Sequence, residues 1–362
     1  MKKNISKILL LVVFLIFCTI AIGFLTPYFS GKRVDTQQML SEMTLEEKVG
    51  QLFIFGFWGK EPDYYITKMI KERYIGGVIL LGYNIDSEEQ VTKLTSSLQA
   101  LSKIPLFISV DQEGGEVARI WFEDTYDISQ YDIENEKEAF KVAKDRGKQL
   151  KELGINMNFS PVLDHVTNEQ SFLFTRSFRG TPQEVSDLAV AMVKGYKSAG
   201  IISSVKHFPG HSNETLDSHS QLDSVDISAD ELDEYIFQFK EVLKYTDTVM
   251  TGHMLFPKID KDNPTTVSSY FVDTLLRKEL GFEGLIITDD MQMKSIYDMY
   301  SVREAAVKAV LVGNDILIYT GEPEEQAEAY RAVLEAVKEG VIKEEDLNRK
   351  VLKILDLKYS LR

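Results

Sequence analysis

The segment from Lys206 to His219 concentrates the residues of this chain that could do chemistry. It reads Lys-His-Phe-Pro-Gly-His-Ser-Asn-Glu-Thr-Leu-Asp-Ser-His and contains three of the five histidines. A Pro-Gly pair interrupts helix and strand, which predicts a loop, and loops often carry function. Asp217 and His219 are two residues apart, so in extended backbone their side chains point the same way. The carboxylate could then hold one imidazole nitrogen while the other faces a substrate, which predicts an acid/base pair.

Two other interpretations of these histidines stay open at this point. A loop histidine beside an aspartate is often a simple surface hydrogen bond. A metal site is the second alternative, because His207 and His211 are four residues apart and His219 follows. The intervening Pro-Gly pair keeps the first two off a common helix face, and the single cysteine, Cys18, lies in the N-terminal apolar segment. We therefore expect no metal, and we expect no cofactor.

The composition of the chain is that of a soluble globular protein. Its 362 residues carry a formal net charge of −15, which becomes more negative when residues 1–33 are set aside. This acidity argues against a surface for nucleic acid or for an anionic membrane. Residues 34–362 suffice for one large barrel or two ordinary domains. Because no linker or low-complexity stretch divides them, we expect one domain.

Residues 1–33 predict a signal peptide or a membrane anchor. Lysines precede an uncharged run from Ile8 to Gly31, whose most apolar part is long enough to cross a bilayer as a helix. Positive charge ahead of such a run predicts an N-terminus inside and the remainder outside. Ala21-Ile22-Gly23 could instead be a cleavage site. We expect an extracytoplasmic protein that is anchored by this helix if uncleaved and secreted if cleaved.

Eight short apolar runs, separated by amphipathic helical patterns, predict the fold. The predicted strands are Val49–Phe57, Ile75–Leu81, Leu106–Val110, Asn156–Val162, Ile202–His207, Thr248–Met254, Leu285–Thr288 and Ile316–Tyr319. The predicted helices include Glu138–Leu153, Pro182–Ala199, Ala229–Lys244, Val302–Val312, Pro323–Glu339 and Glu344–Lys358. Continuous apolar strands are typical of parallel strands covered on both faces. The alternation predicts an α/β fold of the (β/α)8 TIM-barrel type. A doubly wound sheet is the alternative, but no Gly-x-Gly-x-x-Gly follows the first strand.

Polar residues sit where the predicted strands end. They are Asp111, Asp164, Lys206, His207, His253, Asp289 and Asp290. Active sites of (β/α)8 barrels lie at the C-terminal ends of the strands. The positions of these residues therefore predict an enzyme.

Six motifs, taken together and in order, resemble glycoside hydrolase family 3 in its β-N-acetylglucosaminidase branch, over roughly residues 38–358. The motifs are Asp111-Gln-Glu-Gly-Gly-Glu-Val-Ala-Arg119, Asn156-x-Asn-x-x-Pro-Val-x-Asp164, Arg176-Ser-Phe, Lys206-His-Phe-Pro-Gly-His, Asp217-Ser-His219 and Ile287-Thr-Asp-Asp-Met. Ser212-Asn213-Glu214 departs from the resemblance, because the family usually has Gly-Asp-Thr there.

The resemblance implies roles for particular residues. Asp289 corresponds to the nucleophile, and His219 with Asp217 corresponds to the acid/base dyad that replaces a second carboxylate. The implied sugar-binding residues are Asp111, Arg119, Arg176, Lys206 and His207. For Arg119 and Lys206 an internal salt-bridge network is the alternative. Asp290 is expected to point away from the site as a structural residue, and Glu113 receives no role.

The implied activity is that of a retaining exo-β-N-acetylglucosaminidase. Its substrate would be an N-acetylglucosamine-containing saccharide such as a peptidoglycan or chitin-type fragment. Nucleic acid is not expected as a partner. A β-N-acetylglucosaminide phosphorylase is an alternative, because a neutral histidine tolerates an incoming phosphate. A catalytically inactive barrel that binds glycans is the alternative outside the enzymes.

Overall fold

Eight short apolar segments form a closed barrel of parallel strands in the computed structural model, which describes residues 34–122, 128–211, 213 and 222–360. The strands are β1 Phe53–Phe55, β2 Gly77–Leu80, β3 Phe107–Val110, β4 Met157–Asn158, β5 Ile202–Phe208, β6 Thr248–Thr251, β7 Leu285–Asp290 and β8 Ile316–Tyr319. Each strand pairs with its neighbours in the chain, and β1 pairs with β8 to close the barrel. The predicted (β/α)8 fold is confirmed.

Helices precede β1 and follow the barrel strands. They are α1 Thr36–Glu42, α2 Leu45–Gly50, α3 Tyr64–Arg73, α4 Glu88–Leu101, α5 Glu136–Glu152, α6 Pro182–Ala199, α7 Ala229–Tyr235, α8 Phe237–Val242, a π-type helix Tyr270–Glu279, α9 Lys294–Tyr297, α10 Val302–Val312, α11 Pro323–Lys338 and α12 Glu344–Ser360. Local capping sets several boundaries. For example, Thr181 caps α6 in a capping box with Glu184, and Gly200 ends it at a positive φ of 78°.

Some predicted boundaries are wrong. Val49 belongs to α2, so β1 begins only at Phe53. The helix predicted as Ala229–Lys244 is divided at Ile236 into α7 and α8. In β4 the regular ladder stops at Asn158, shortly before Pro161, which has no amide hydrogen to donate.

Two irregularities in strand register lie beside residues predicted to do chemistry. Pairing of β5 with β6 shifts between Val205 and Phe208, where Lys206 and His207 lie. Pairing of β8 with β7 shifts between Ile316 and Ile318, and Ile318 is opposite Asp290. Such bulges redirect side chains and are frequent next to active sites.

Helix α12 packs at the N-terminal end of the barrel. Its Lys358 is buried, donates from Nζ to Gln51 Oε1 at 2.7 Å and lies 4.9 Å from the centre of the Phe107 ring. Burial holds the pKa of this amine well below its usual value. The C-terminal end, by contrast, carries the polar residues described next.

Residues from Leu40 onward form one compact unit that contains the whole barrel. None of the helices in the described part of the chain is long and apolar enough to cross a bilayer. The predicted signal or anchor segment, residues 1–33, lies outside the described residues.

Candidate active site

Two acids and two bases meet at the C-terminal ends of β3 to β5. Lys206 Nζ lies 2.7 Å from Asp111 Oδ1 and 2.6 Å from Glu113 Oε1. Arg176, in the loop after β4, donates from Nε and Nη2 to the two oxygens of Glu113, both at 2.9 Å. The bidentate geometry suits a guanidinium and a carboxylate. The formal charges of the four groups cancel, which allows them to be packed together with little water.

Charge pairing outweighs burial in this network. Burial alone would raise the pKa of Glu113, but the charges of Arg176 and Lys206 lower it to about 2. Burial would likewise lower the pKa of Lys206, and the carboxylates of Asp111 and Glu113 raise it instead. Glu113, Arg176 and Lys206 are therefore ionised at neutral pH. The salt-bridge alternative considered for Lys206 is realised. Lys206 binds Oδ1 of Asp111, and no described residue donates to Oδ2, which can therefore accept a hydrogen bond from a ligand.

A tight turn after β3 places Arg119 at the same end of the barrel. Gln112 Oε1 accepts the backbone amides of Arg119 at 2.8 Å and Ile120 at 3.0 Å. Gly114 has a positive φ of 93°, and a Cβ there would meet the Ile128 carbonyl at 2.0 Å, so only glycine fits. Nε of Arg119 is buried without a hydrogen-bond partner in the described ranges. The salt-bridge alternative for Arg119 is thus not realised among the residues described.

Asp289 lies near the end of β7 and is ionised. Its Oδ1 accepts a hydrogen bond from the Asp290 amide at 2.8 Å. Burial would raise the pKa of this carboxyl group, but electrostatic interactions with the imidazoles of His207 and His253 and with the Lys206 ammonium lower it to about 2. A carboxylate in this condition can act as a nucleophile.

The neighbouring Asp290 has a different environment. Its Oδ1 accepts the backbone amides of Gln292 at 3.1 Å and Thr320 at 3.2 Å, and its Oδ2 accepts the Thr320 hydroxyl. Burial, together with the charge of Asp289, raises its pKa to about 6. The side chain joins the loops after β7 and β8, as expected of a structural residue.

His253, after β6, supports the end of β7. Its Nε2 donates to the Asp290 carbonyl at 3.0 Å, and its Nδ1 lies 2.8 Å from Thr266 Oγ1. Burial lowers the pKa of the ring. The sequence placed His253 at this end of the barrel, but its contact with the main chain of β7 could not be foreseen.

Asp164, after β4, organises two of the histidines. Its Oδ2 accepts His207 Nδ1 at 2.7 Å, and its Oδ1 accepts His211 Nδ1 at 3.0 Å and the His211 amide at 2.7 Å. Burial lowers the pKa of His207, so this ring is neutral at neutral pH. No described residue contacts its Nε2, which can therefore bind a ligand. Burial has the same tendency at His211, but the Asp164 carboxylate outweighs it and raises that pKa.

The same three residues are the set in the described chain that could hold a metal ion. One ligand atom from each of Asp164, His207 and His211 lies within 4.8 Å of the others. The contacts between them are N–H to carboxylate hydrogen bonds, so a metal would have to displace both protons. We therefore describe them as a hydrogen-bonded cluster.

The start of the loop after β5 is held on both sides. The Tyr235 hydroxyl contacts the carbonyl oxygens of His211 at 2.6 Å and Gly210 at 3.1 Å. Asn213 Oδ1 accepts the backbone amides of Thr167 and Asn168, both at 2.9 Å. These contacts fix the loop just before the predicted dyad. Asp217 and His219 themselves lie outside the described residues, and their role stays a prediction.

The model of the glycosyl hydrolase family 3 N terminal domain matches residues 44–357. This chain belongs to glycosyl hydrolase family 3. The family predicted from the six motifs is thereby confirmed, as is the prediction of a glycoside hydrolase at the level of the family.

Relatives in family 3 narrow the comparison. The chain is 33% identical to beta-hexosaminidase A of Pseudoalteromonas piscicida over 329 residues, 82% of this chain and 55% of the relative. It is 33% identical to a beta-hexosaminidase of Nitrosomonas eutropha over 266 residues, 69% of this chain and 75% of the relative. A solved family 3 β-N-acetylglucosaminidase from Paenibacillus sp. str. FPU-7 has a TM-score of 0.84 and 37% identity, covering 88% of this chain and 63% of that one. The chain thus spans little more than half of the P. piscicida relative.

Proposed function

We propose that this chain is a retaining exo-β-N-acetylglucosaminidase that removes terminal β-linked N-acetylglucosamine from cell-wall or chitin-type glycans. The observation that carries the proposal is the ionised carboxylate of Asp289 at the end of β7, close to the Lys206 ammonium and the His207 imidazole. A carboxylate there can attack an anomeric carbon. The names of the beta-hexosaminidase and β-N-acetylglucosaminidase relatives support N-acetylglucosamine as the sugar.

The reaction would proceed by double displacement. Asp289 would displace the aglycone from C1 and form a glycosyl ester, while His219 protonates the departing oxygen. His219 would then take a proton from water, whose oxygen attacks C1 and releases Asp289 with net retention. Asp217 would orient the imidazole and stabilise its protonated form. The roles of Asp217 and His219 rest on the motif Asp217-Ser-His219 in the sequence.

Five residues would hold the sugar, namely Asp111, Arg119, Arg176, Lys206 and His207. The guanidinium of Arg119 and the free oxygen of Asp111 are available for charge-assisted hydrogen bonds to hydroxyl or amide groups. His207, neutral and held by Asp164 through Nδ1, would offer Nε2. Such fixed partners restrict the ring to a reactive position.

The nucleophile is tested by turnover of an aryl N-acetyl-β-glucosaminide by the full-length chain and by Asp289→Asn. We expect a loss of at least about 10³-fold in kcat, because the amide cannot form the ester. Asp298→Asn, with its side chain 58% exposed after α9, is the matched control and should retain activity. Unchanged turnover in Asp289→Asn would reject the proposal.

The acid/base role is tested with two leaving groups. His219→Ala should reduce turnover of an alkyl glycoside far more than turnover of an activated aryl glycoside, because only the alkoxide needs a proton to leave. Equal losses for both substrates would remove His219 from this role.

Hydrolysis is separated from phosphorolysis by product analysis with and without phosphate. We expect free N-acetylglucosamine under both conditions. Formation of N-acetylglucosamine 1-phosphate only when phosphate is present would establish the phosphorylase instead. Saccharide binding without any turnover would establish the inactive glycan-binding barrel.

We also propose that the enzyme acts outside the cytoplasm and is held to the membrane by residues 1–33. The support is their basic start and uncharged apolar run. Fractionation of cells that produce the full-length chain should place it with the membranes. Recovery from the medium with a new N-terminus would show a cleaved signal peptide instead.

A further inference from the structure

Both tryptophans of the chain are exposed on loops at the C-terminal end of the barrel. Trp58 follows β1 and Trp121 follows β3, and each has 55% of its surface accessible. Tryptophan is the side chain with most to gain from burial, so an exposed one needs a physical explanation. Exposed apolar groups at the mouth of a site often mark a binding surface.

Trp58 does not stand alone, because it is stacked on Tyr83. The two ring centroids are 4.3 Å apart and the ring planes are inclined by only 20°. Tyr83 lies in the single 3₁₀ turn Gly82–Asn84 after β2. Parallel stacking covers one face of the indole, and the accessibility of Trp58 shows that much of its remaining surface is open. The pair therefore forms a flat aromatic platform made by two adjacent loops.

The main chain beneath the platform is locked by Asn84. This buried side chain donates from Nδ2 to the carbonyls of Phe57 at 2.9 Å and Gly59 at 2.7 Å. Its Oδ1 accepts the Leu81 amide at 2.9 Å. The residue next to Tyr83 thus holds the backbone on both sides of Trp58. A platform positioned in advance loses little entropy when a ligand binds.

The platform belongs to the same end of the barrel as the nucleophile. Burial, followed by the negative charge of Asp290, raises the pKa of Tyr83. Asp290 follows Asp289 on β7, so the phenol lies near the C-terminal end of the strand that carries the nucleophile. Around the closed barrel the strands come in the order β7, β8, β1, β2, so the loops after β1 and β2 lie close to the end of β7. Stacked rings in this place are suited to a group attached to the sugar at Asp289.

We propose that Trp58 and Tyr83 bind the sugar ring on the leaving-group side of the cleaved bond. This proposal rests on the proposed function. A pyranose presents a face of C–H groups, and the negative face of an aromatic ring attracts such groups while excluding water. The occupant is therefore the second pyranose of a β-linked saccharide. Asp111, Lys206 and His207 would bind the first sugar, and the platform would bind the next.

The kinetic test compares a substrate that has this second ring with one that lacks it. N,N′-diacetylchitobiose has a sugar leaving group, whereas methyl N-acetyl-β-glucosaminide has methoxide, and the intrinsic difference between these leaving groups cancels when the variant is compared with the native chain. In the full-length chain, Trp58→Ala should lower kcat/KM for the disaccharide about 5- to 10-fold more than for the methyl glycoside. Trp58→Phe should recover part of the loss, because it restores an aromatic face.

Trp121→Ala is the matched control, since Trp121 is equally exposed at the same end of the barrel but has no stacking partner in the described residues. It should leave the ratio of the two kcat/KM values unchanged. A Trp58→Ala variant that keeps the native ratio would overturn the proposal. Equal losses for both substrates would overturn it as well, because they indicate damage to the first sugar site.

A binding measurement keeps this test independent of turnover. Trp121→Phe leaves Trp58 as the one tryptophan, and combining it with Asp289→Asn blocks the reaction. Titration with N,N′-diacetylchitobiose should shift the fluorescence of Trp58, and N-acetylglucosamine alone should not. Absence of a shift on saturation, with binding confirmed by calorimetry, overturns the platform, and so does absence of binding. A shift without turnover by the native chain would instead reject the proposed function.

Discussion

Oδ2 of Asp164 accepts two hydrogen bonds from His207, one from ring Nδ1 at 2.7 Å and one from the backbone amide at 3.2 Å. The other oxygen binds His211 in the same way, through ring and backbone. A single buried carboxylate thus sets the orientation of both rings and the path of the main chain between them. The loop that carries the predicted acid/base pair begins from this anchor.

Asp164→Asn should lower kcat/KM about 10²-fold through misplaced groups and destabilise the fold by about 1–3 kcal/mol through unmatched hydrogen bonds. The pKa of His211, followed by NMR, should fall because the carboxylate that raises it is gone. Glu169→Gln, at an exposed position in the same loop, is the control. An unchanged His211 titration would contradict the assigned role.

Glu113→Gln should cost stability, because it leaves Arg176 and Lys206 buried without their shared carboxylate. Breaking a buried ion pair typically costs about 3–5 kcal/mol. The folded pKa of Glu113 is about 2, below the ordinary 4.5. Its contribution is therefore present above pH 4.5 and is lost as pH falls towards 2. Urea unfolding as a function of pH checks this, with the exposed Glu116→Gln as control.

Arg119→Ala should separate activity from stability. The Arg119 side chain has no ion pair in the described ranges, so we expect the free energy of unfolding to change by less than about 1 kcal/mol. If the guanidinium binds the sugar, kcat/KM should fall about 10- to 100-fold. Kinetics and unfolding measured on the same preparation check both values. A loss of stability equal to that of Glu113→Gln would show that Arg119 is a structural residue.

Asp290→Asn should make the chain more stable at neutral pH. The folded pKa of Asp290 is about 6, above the ordinary 3.8, so its contribution is full below pH 3.8 and is lost as pH rises through 6. An amide can retain both backbone contacts to Oδ1 and can donate to the Thr320 hydroxyl. The difference in unfolding free energy between variant and native chain should therefore grow from pH 4 to pH 7. A constant difference would contradict the raised pKa.

Lys358→Met should remove a different pH dependence. The folded pKa of this buried amine is well below 10.5, so the unfolded chain binds more protons below pH 10.5. The stability of the native state must therefore increase as pH rises from the folded pKa towards 10.5. The apolar variant should lack this slope and be the more stable at pH 7. Urea unfolding at pH 7 and pH 9.5 checks the sign.

The barrel could be predicted because each strand is a continuous apolar run with a helix after it, and because parallel strands bring their C-terminal ends together. Asp111, Lys206 and Asp289 could be placed at one end for the same reason. Their partners could not. Glu113 and Arg176 are 63 residues apart, and their pairing depends on how the loop after β4 folds back.

That loop has a small apolar cluster of its own, in which Val162, Val166 and Leu173 are buried and Phe172 and Phe174 pack against them. No periodic pattern in the sequence indicates such a cluster, since it lies outside the α-helices and the barrel strands. Asp164 illustrates the same limit. The motif located it at a strand end, but the choice of His207 and His211 as partners depends on a turn at Pro209 and Gly210 that only the folded chain specifies.

The hydrogen bonds of Asn84 to the main chain around Trp58 bear on how substrate specificity could change in evolution. It fastens the carbonyls of Phe57 and Gly59 and uses no side-chain atom of Trp58. The identity of residue 58 is therefore uncoupled from the folding of its loop. A saturation library at this position should yield mostly folded variants that differ in their preference for the leaving group. Residue 58 is therefore a position at which specificity could evolve without loss of the fold.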